Sequence, residues 1–203
     1  MSRSDPDPNQ NYVPDQTIRP QVSLTGEVAE GTVTSLLDQL AQVEEADEPI
    51  VFEATTLGGD AEMARRVVLE IDLARKRFGS RRLVFLGKTT VYSAGITIMS
   101  AFPREDRFVT DDTVLLIHVR QLTKTIEIQG PMRESLSQVE ALGHQIKTGM
   151  KLEEANFRRL LQGSSVSLQD LLGKALYNWY LTAEEAQKLG LVAQVLKTGA
   201  PEV

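Results

Sequence analysis

The chain has 203 residues, 41% of them hydrophobic and 25% charged, which is enough for one packed domain and excludes wholesale disorder. Its 28 acidic and 22 basic residues give a net charge of −6, against nucleic-acid binding, which needs a basic stripe. Cysteine is absent and only His118 and His144 are histidines, so disulfides, thiolate or iron–sulfur sites and histidine-rich metal sites are excluded.

Met1–Pro20 carries four prolines and many polar residues without an apolar run, so residues 1–21 are expected to form a flexible arm rather than a signal peptide. The mostly apolar stretch Leu83–Phe102 is interrupted by Gly87, Lys88 and hydroxyls, too polar for a membrane span. With no address segment and no cysteine, a cytoplasmic location is expected.

From Val22 onward, strand and helix patterns alternate. Val22–Thr25 alternates as a strand and ends at Gly26; Thr32 is placed to cap a helix whose inner face is Val33, Leu36, Leu37, Leu40 and Val43. Pro49 precedes a second strand, Ile50–Thr55. Leu57-Gly58-Gly59-Asp60 then leads into a helix ending at Phe78, with Ala64, Val67, Val68, Ile71 and Ala74 inward. Leu83–Leu86 reads as a third strand, Ser93–Phe102 as a helix and Thr113–His118 as a fourth strand. This is the α/β rhythm of a mostly parallel sheet. Thr125–Ile128 alternates like an exposed strand, and a helix is expected from Pro131 towards Leu161, ended by Gly163. Along it Met132, Leu136, Val139, Leu142, Ile146 and Met150 form one apolar stripe. The stripe faces either the core or a neighbouring subunit.

Three features bear on chemistry. Ser93 stands where a strand feeds a helix, in Val91-Tyr-Ser-Ala-Gly95; Val91 rules out the Gly-x-Ser-x-Gly elbow, and a plain N-cap is the competing role. His118 ends an apolar strand, where α/β sites gather, although a structural edge histidine would also fit; His144 reads as a surface residue. Gly58-Gly59 at a strand-to-helix junction is either a tight turn or a backbone cradle for a ligand. In this order, the three supply the parts for acyl transfer.

The chain resembles the proteolytic subunit of the Clp protease, a serine peptidase of the ClpP/crotonase superfamily. Four segments carry the resemblance: Leu24–Val28; Thr55–Asp60, similar to the family's Asn-Ser-Pro-Gly-Gly loop; Ser93-Ala-Gly95 with Leu115–His118, 25 residues apart from Ser to His; and Trp179–Val192. The resemblance covers residues 22–197 and implies an α/β, ClpP/crotonase-like fold of repeated β-β-α units with a protruding strand-helix handle at 122–163, followed by a tail at 198–203. It implies Ser93 as nucleophile, His118 as general base and the backbone N–H groups of Gly59 and Ala94 as the oxyanion hole. No metal or other cofactor is implied.

Two departures stand out. Leu57 replaces the loop proline, and Asn178 stands where the family's aspartate is expected. An asparagine carbonyl can hold His118 but cannot offset an imidazolium charge; Asp170 could substitute only if its loop folds back. The interval from His118 to Asn178 is longer than usual, with the extra length in the handle.

The resemblance therefore implies a Clp-type serine endopeptidase subunit, assembled with copies of itself into stacked heptameric rings and cleaving polypeptides. No Walker P-loop is present, so ATP would be used by a separate AAA+ Clp-type ATPase. No nucleic acid or membrane partner is expected. Asn178 motivates the alternative of a weak or inactive structural ring subunit, and a crotonase-type acyl-CoA enzyme is a more distant reading.

Overall fold

The computed structural model describes residues 12–14, 20–44, 47–122 and 125–199. Most of the expected N-terminal arm, and residues 200–203 of the expected tail, lie outside the described residues.

The first strand, β1 (Val22–Thr25), buries Val22 and Leu24, and Gly26 at φ +96° turns the chain away. Helix α1 (Glu30–Ala41) buries Val33, Leu36 and Leu40. Its cap differs from expectation. Ala29 is the extended N-cap residue, and Thr32, in the third helical position, accepts from the Ala29 amide at 3.0 Å. Strand β2 (Ile50–Thr56) leads to α2 (Ala61–Phe78), whose buried face is the expected Ala64, Val67, Val68, Ile71 and Ala74.

Strand β3 (Leu83–Tyr92) is longer than its apolar stretch suggests, and α3 (Ala94–Met99) follows directly. An unanticipated strand, β4 (Arg107–Thr110), comes before β5 (Val114–Ile117). The long helix α4 (Met132–Leu160), α5 (Leu168–Ala175), β6 (Trp179–Thr182), α6 (Ala183–Lys188) and β7 (Gln194–Leu196) complete the described elements. Among them no helix is long and apolar enough to cross a membrane.

The sheet runs β1-β2-β3-β4-β7, all parallel, and it forks at β3. The first half of β3 pairs with β4, from Phe85 opposite Arg107 to Gly87 opposite Val109. Its second half pairs with β5, from Thr90 opposite Val114 to Tyr92 opposite Leu116. At the fork, β2 advances from Ala54 to Thr56 while β3 advances from Gly87 to Val91, a bulge that re-aims the end of β3. That end carries Ser93.

On one face Phe52, Phe85 and Phe102 form an aromatic cluster with centroids 5.5 to 6.3 Å apart, over which α2 and α3 pack. On the other face, Val51, Val84, Leu86, Phe108 and Leu196 form a smaller core. Arg107 is fully buried in β4, and its guanidinium donates to the carbonyls of Phe102 (2.8 Å), Leu160 (2.7 Å), Leu191 (3.1 Å) and Arg159 (3.3 Å). Four carbonyls at the end of α4 and in two loops, of which the Arg159 oxygen also accepts the Gln162 amide, explain why a charge sits inside a strand.

Only the C-terminal third of α4 joins this core, burying Glu153, Phe157 and Leu160, while Arg159 forks onto Asp72 of α2. The predicted apolar stripe is exposed along the rest of the helix, from Met132 (89% exposed) through Leu136 and Val139 to Ile146 and Met150, except for Leu142, which is half-buried. The strand expected at Thr125–Ile128 is not formed. These residues are exposed, and no neighbouring strand among the described residues offers them a ladder.

Candidate active site

The loop after β2 is shaped by backbone hydrogen bonds. The Val28 amide donates to Gly58 O and the Asp60 amide to Val28 O, both at 2.8 Å, and Thr56 Oγ1 accepts the Gly58 amide at 3.0 Å. Gly59 has φ +142°, and a Cβ there would stand 2.5 Å from Val28 O, so no other residue fits without displacing that carbonyl. Asp60 Oδ1 then caps α2, accepting from the Glu62 (2.7 Å) and Met63 (2.9 Å) amides. Among the described residues the Gly59 amide has no acceptor, and Gly59 lines a cavity of about 410 Å³.

Ser93 faces the same cavity. Its backbone is strained, at φ +53° and ψ −109°, a conformation that costs a non-glycine residue about 1–3 kcal/mol. Ser93 occupies the N-cap position of α3, yet its hydroxyl makes no capping bond and is left available. Its amide donates to Leu116 O at 2.9 Å, which ties the serine to the strand that delivers His118 two residues later. The Ala94 amide also has no acceptor among the described residues and lies on the cavity wall.

His118 follows β5 directly and lines the cavity with Ser93. Its Nδ1 lies 2.7 Å from the carbonyl oxygen of Val119. A carbonyl can only accept, so Nδ1 carries the proton and Nε2 keeps the lone pair a general base needs. The geometry thus brings together Ser93, His118, Gly59 and Ala94.

Asn178 stands elsewhere. Antiparallel pairing of β5 with β6 ends with Ile117 opposite Trp179, so His118 and Asn178 are the first residues beyond that end of the ladder. Asn178 is exposed at φ +58°, lies outside the cavity lining, and its side chain makes no hydrogen bond among the described residues. Asp170 is committed to the start of α5, where it accepts from Ser167 Oγ at 2.6 Å. His144 is exposed, as expected, in the wall of a separate, more apolar cavity.

Sequence reasoning missed Arg120, Asn156, Phe157 and Glu153, which complete the cavity wall. Glu153 is buried and accepts a short hydrogen bond from the Arg120 amide, while Arg120 Nη1 donates to Glu62 at 2.7 Å. The Arg120 hydrogen bond holds the Glu62 carboxyl below the ordinary carboxylate range, outweighing the opposing effect of burial. One signal for Glu153 was available. The helical stripe continues past Met150 through Glu153, Phe157 and Leu160 at spacings of four and three, so a charge falls on a face that turns inward. Among the described residues no group of three or more acidic or histidine side chains could hold a metal ion.

The forked, mostly parallel sheet, with the long helix projecting beyond it, defines a mixed α/β protein of the ClpP-like class. The chain belongs to the Clp protease family, whose model matches residues 13–199. It is 25% identical over 177 residues to the ATP-dependent Clp protease proteolytic subunit 2 of Pseudomonas aeruginosa, covering 87% of this chain and 80% of that one. Among solved structures it is similar to a point mutant of ClpP1 from Listeria monocytogenes, with a TM-score of 0.68, 21% identity, and coverage of 87% of this chain and 91% of that one.

Proposed function

We propose that this ClpP-like subunit is a serine endopeptidase acting through an acyl-enzyme on Ser93. The observation that carries the reading is the bond from the Ser93 amide to Leu116 O, which holds the strained serine beside the strand that leads into His118, both residues lining one cavity. His118 Nε2 takes the Ser93 hydroxyl proton as Oγ adds to the scissile carbonyl, and the Gly59 and Ala94 amides stabilise the resulting oxyanion. The imidazolium returns that proton to the leaving amine, and the C–N bond breaks to leave an ester on Ser93. Water, deprotonated by His118, then hydrolyses the ester and regenerates the serine. Asn178, the residue just before β6 as His118 is the residue just after β5, could contact the imidazole from that side.

The subunit works in a ring of copies of itself, with the exposed stripe of α4 as a contact between subunits and a Clp-type ATPase supplying unfolded polypeptide. A fluorophosphonate probe should label Ser93 in the wild type and fail to label Ser93→Ala. Label that persists in that variant would refute the assignment. The second reading, a structural ring subunit without activity of its own, is favoured by the absence of a carboxylate at Asn178. Unlabelled wild-type protein that nevertheless forms rings with an active relative would support it.

A further inference from the structure

Resting on the acyl-transfer reading of Ser93 and His118, we propose that Glu153 is a positioning residue supplying the missing carboxylate charge to His118 through a peptide group. The two hydrogen bonds that suggest it share one amide. His118 Nδ1–H donates to the Val119 carbonyl at 2.7 Å, and the N–H of that same peptide unit, on Arg120, donates to Glu153 Oε2 in a short bond. Histidine, peptide and carboxylate thus stand in series. A carboxylate accepting from a peptide N–H draws electron density towards the carbonyl oxygen at the other end, making it a stronger acceptor. The Val119 oxygen is therefore better able to hold the ring and to stabilise the imidazolium formed when Ser93 is deprotonated.

Burial and partners suit Glu153 to this part. Its residue is 9% exposed, so solvent screens its charge little. Among the described residues it forms no ion pair; Arg120 directs Nη1 to Glu62, and its buried Nη2 has no hydrogen-bond partner. It belongs to the one turn of α4 that packs into the cavity wall. Asn178 cannot carry this charge, and Asp170 is held at the start of α5. No atom is transferred along the chain: each proton stays on its nitrogen, and only polarisation passes between His118 and Glu153.

The test uses the assembled full-length protein and a fluorophosphonate probe, resolving the maximal rate of Ser93 labelling from probe affinity. Glu153→Gln keeps an oxygen to accept the Arg120 amide but removes the charge. It should lower the maximal rate about tenfold or more, with affinity unchanged. Adding Asn178→Asp to that variant should restore most of the rate, because a carboxylate just beyond the β5–β6 ladder end where His118 emerges can lend its charge to the imidazolium through space. A merely structural Glu153 would not be rescued from that position. A rate within twofold of wild type in Glu153→Gln, or a loss that Asn178→Asp leaves in place, overturns the relay. A second measurement needs no variant. Nitrogen-15 NMR of the two histidines should show Nδ1 of His118 protonated and Nε2 bare, and the opposite tautomer would also overturn it. Failure of the wild type to label at Ser93 would instead remove the acyl-transfer reading itself.

Discussion

A Cβ on Gly58 would stand 2.8 Å from the Cβ of Ser93 and 3.3 Å from its Oγ, so the loop after β2 meets the turn after β3 with no room for a side chain. Gly58 also has φ +105°, where an L-residue is strained. Gly58→Ala must therefore push the serine off the position set by Leu116 O. A displacement approaching 1 Å costs on the order of a hundredfold in rate, and that is the expected fall in fluorophosphonate labelling. Labelling at the wild-type rate would show that the two loops are not coupled.

The buried guanidinium of Arg107 makes a second prediction. Burial pushes Arg107 down to about 10, still well above neutral pH, so the charge persists inside the sheet. Arg107→Met roughly preserves volume but strips the donor from the carbonyls of Phe102, Leu160, Leu191 and Arg159. A loss of about 3–5 kcal/mol is expected, read as a lower urea midpoint. A midpoint equal to wild type would mean those carbonyls find other donors.

Acid should weaken the link between α2 and the segment after His118. Glu62 is held below its ordinary 4.5, first by the Arg120 hydrogen bond, so its folded value lies below its unfolded one. The stability it contributes is present above pH 4.5 and disappears as pH falls through the folded value. Because Glu62 is largely exposed, the contribution is small, about 0.5 kcal/mol or less. Thermal melts taken from about pH 6 downward should show a shallower acid decline in Glu62→Gln. Asp106 has the opposite sign. Burial raises it despite the counteracting Arg82, so its unfavourable contribution is relieved as pH falls.

The exposed stripe of α4 gives the fourth prediction. Leu136 and Val139 lie three residues apart on one helical face, 58% and 47% exposed. If they meet another subunit, the double variant Leu136→Lys, Val139→Lys should lower the native mass of the assembly while leaving the chain folded. An unchanged native mass would place the subunit contact elsewhere.

The readable part of this protein was the part governed by local pattern. The faces of α1 and α2 follow from apolar residues at helical spacing, and Gly58-Gly59, Ser93 and His118 mark the strand ends where a parallel sheet gathers its chemistry. Strand β4 escaped because Arg107 opens a four-residue segment, and a charge there reads as exposed until the carbonyls it satisfies are brought in from Leu160 and Leu191. The strand expected at Thr125–Ile128 failed for the converse reason, since alternation cannot make a strand without a neighbour to pair with.

The sequence by itself determined that any imidazole chemistry must use His118 or His144, and that Asn178 brings no carboxylate. Only the tertiary structure shows that His118 shares a cavity wall with Ser93 while His144 lines another, and what faces Nδ1 of His118. Glu153 lies 35 residues beyond His118, in a helix where charges ordinarily point to water. Packing of the last turns of α4 against the cavity turns that one charge inward, onto the Arg120 amide.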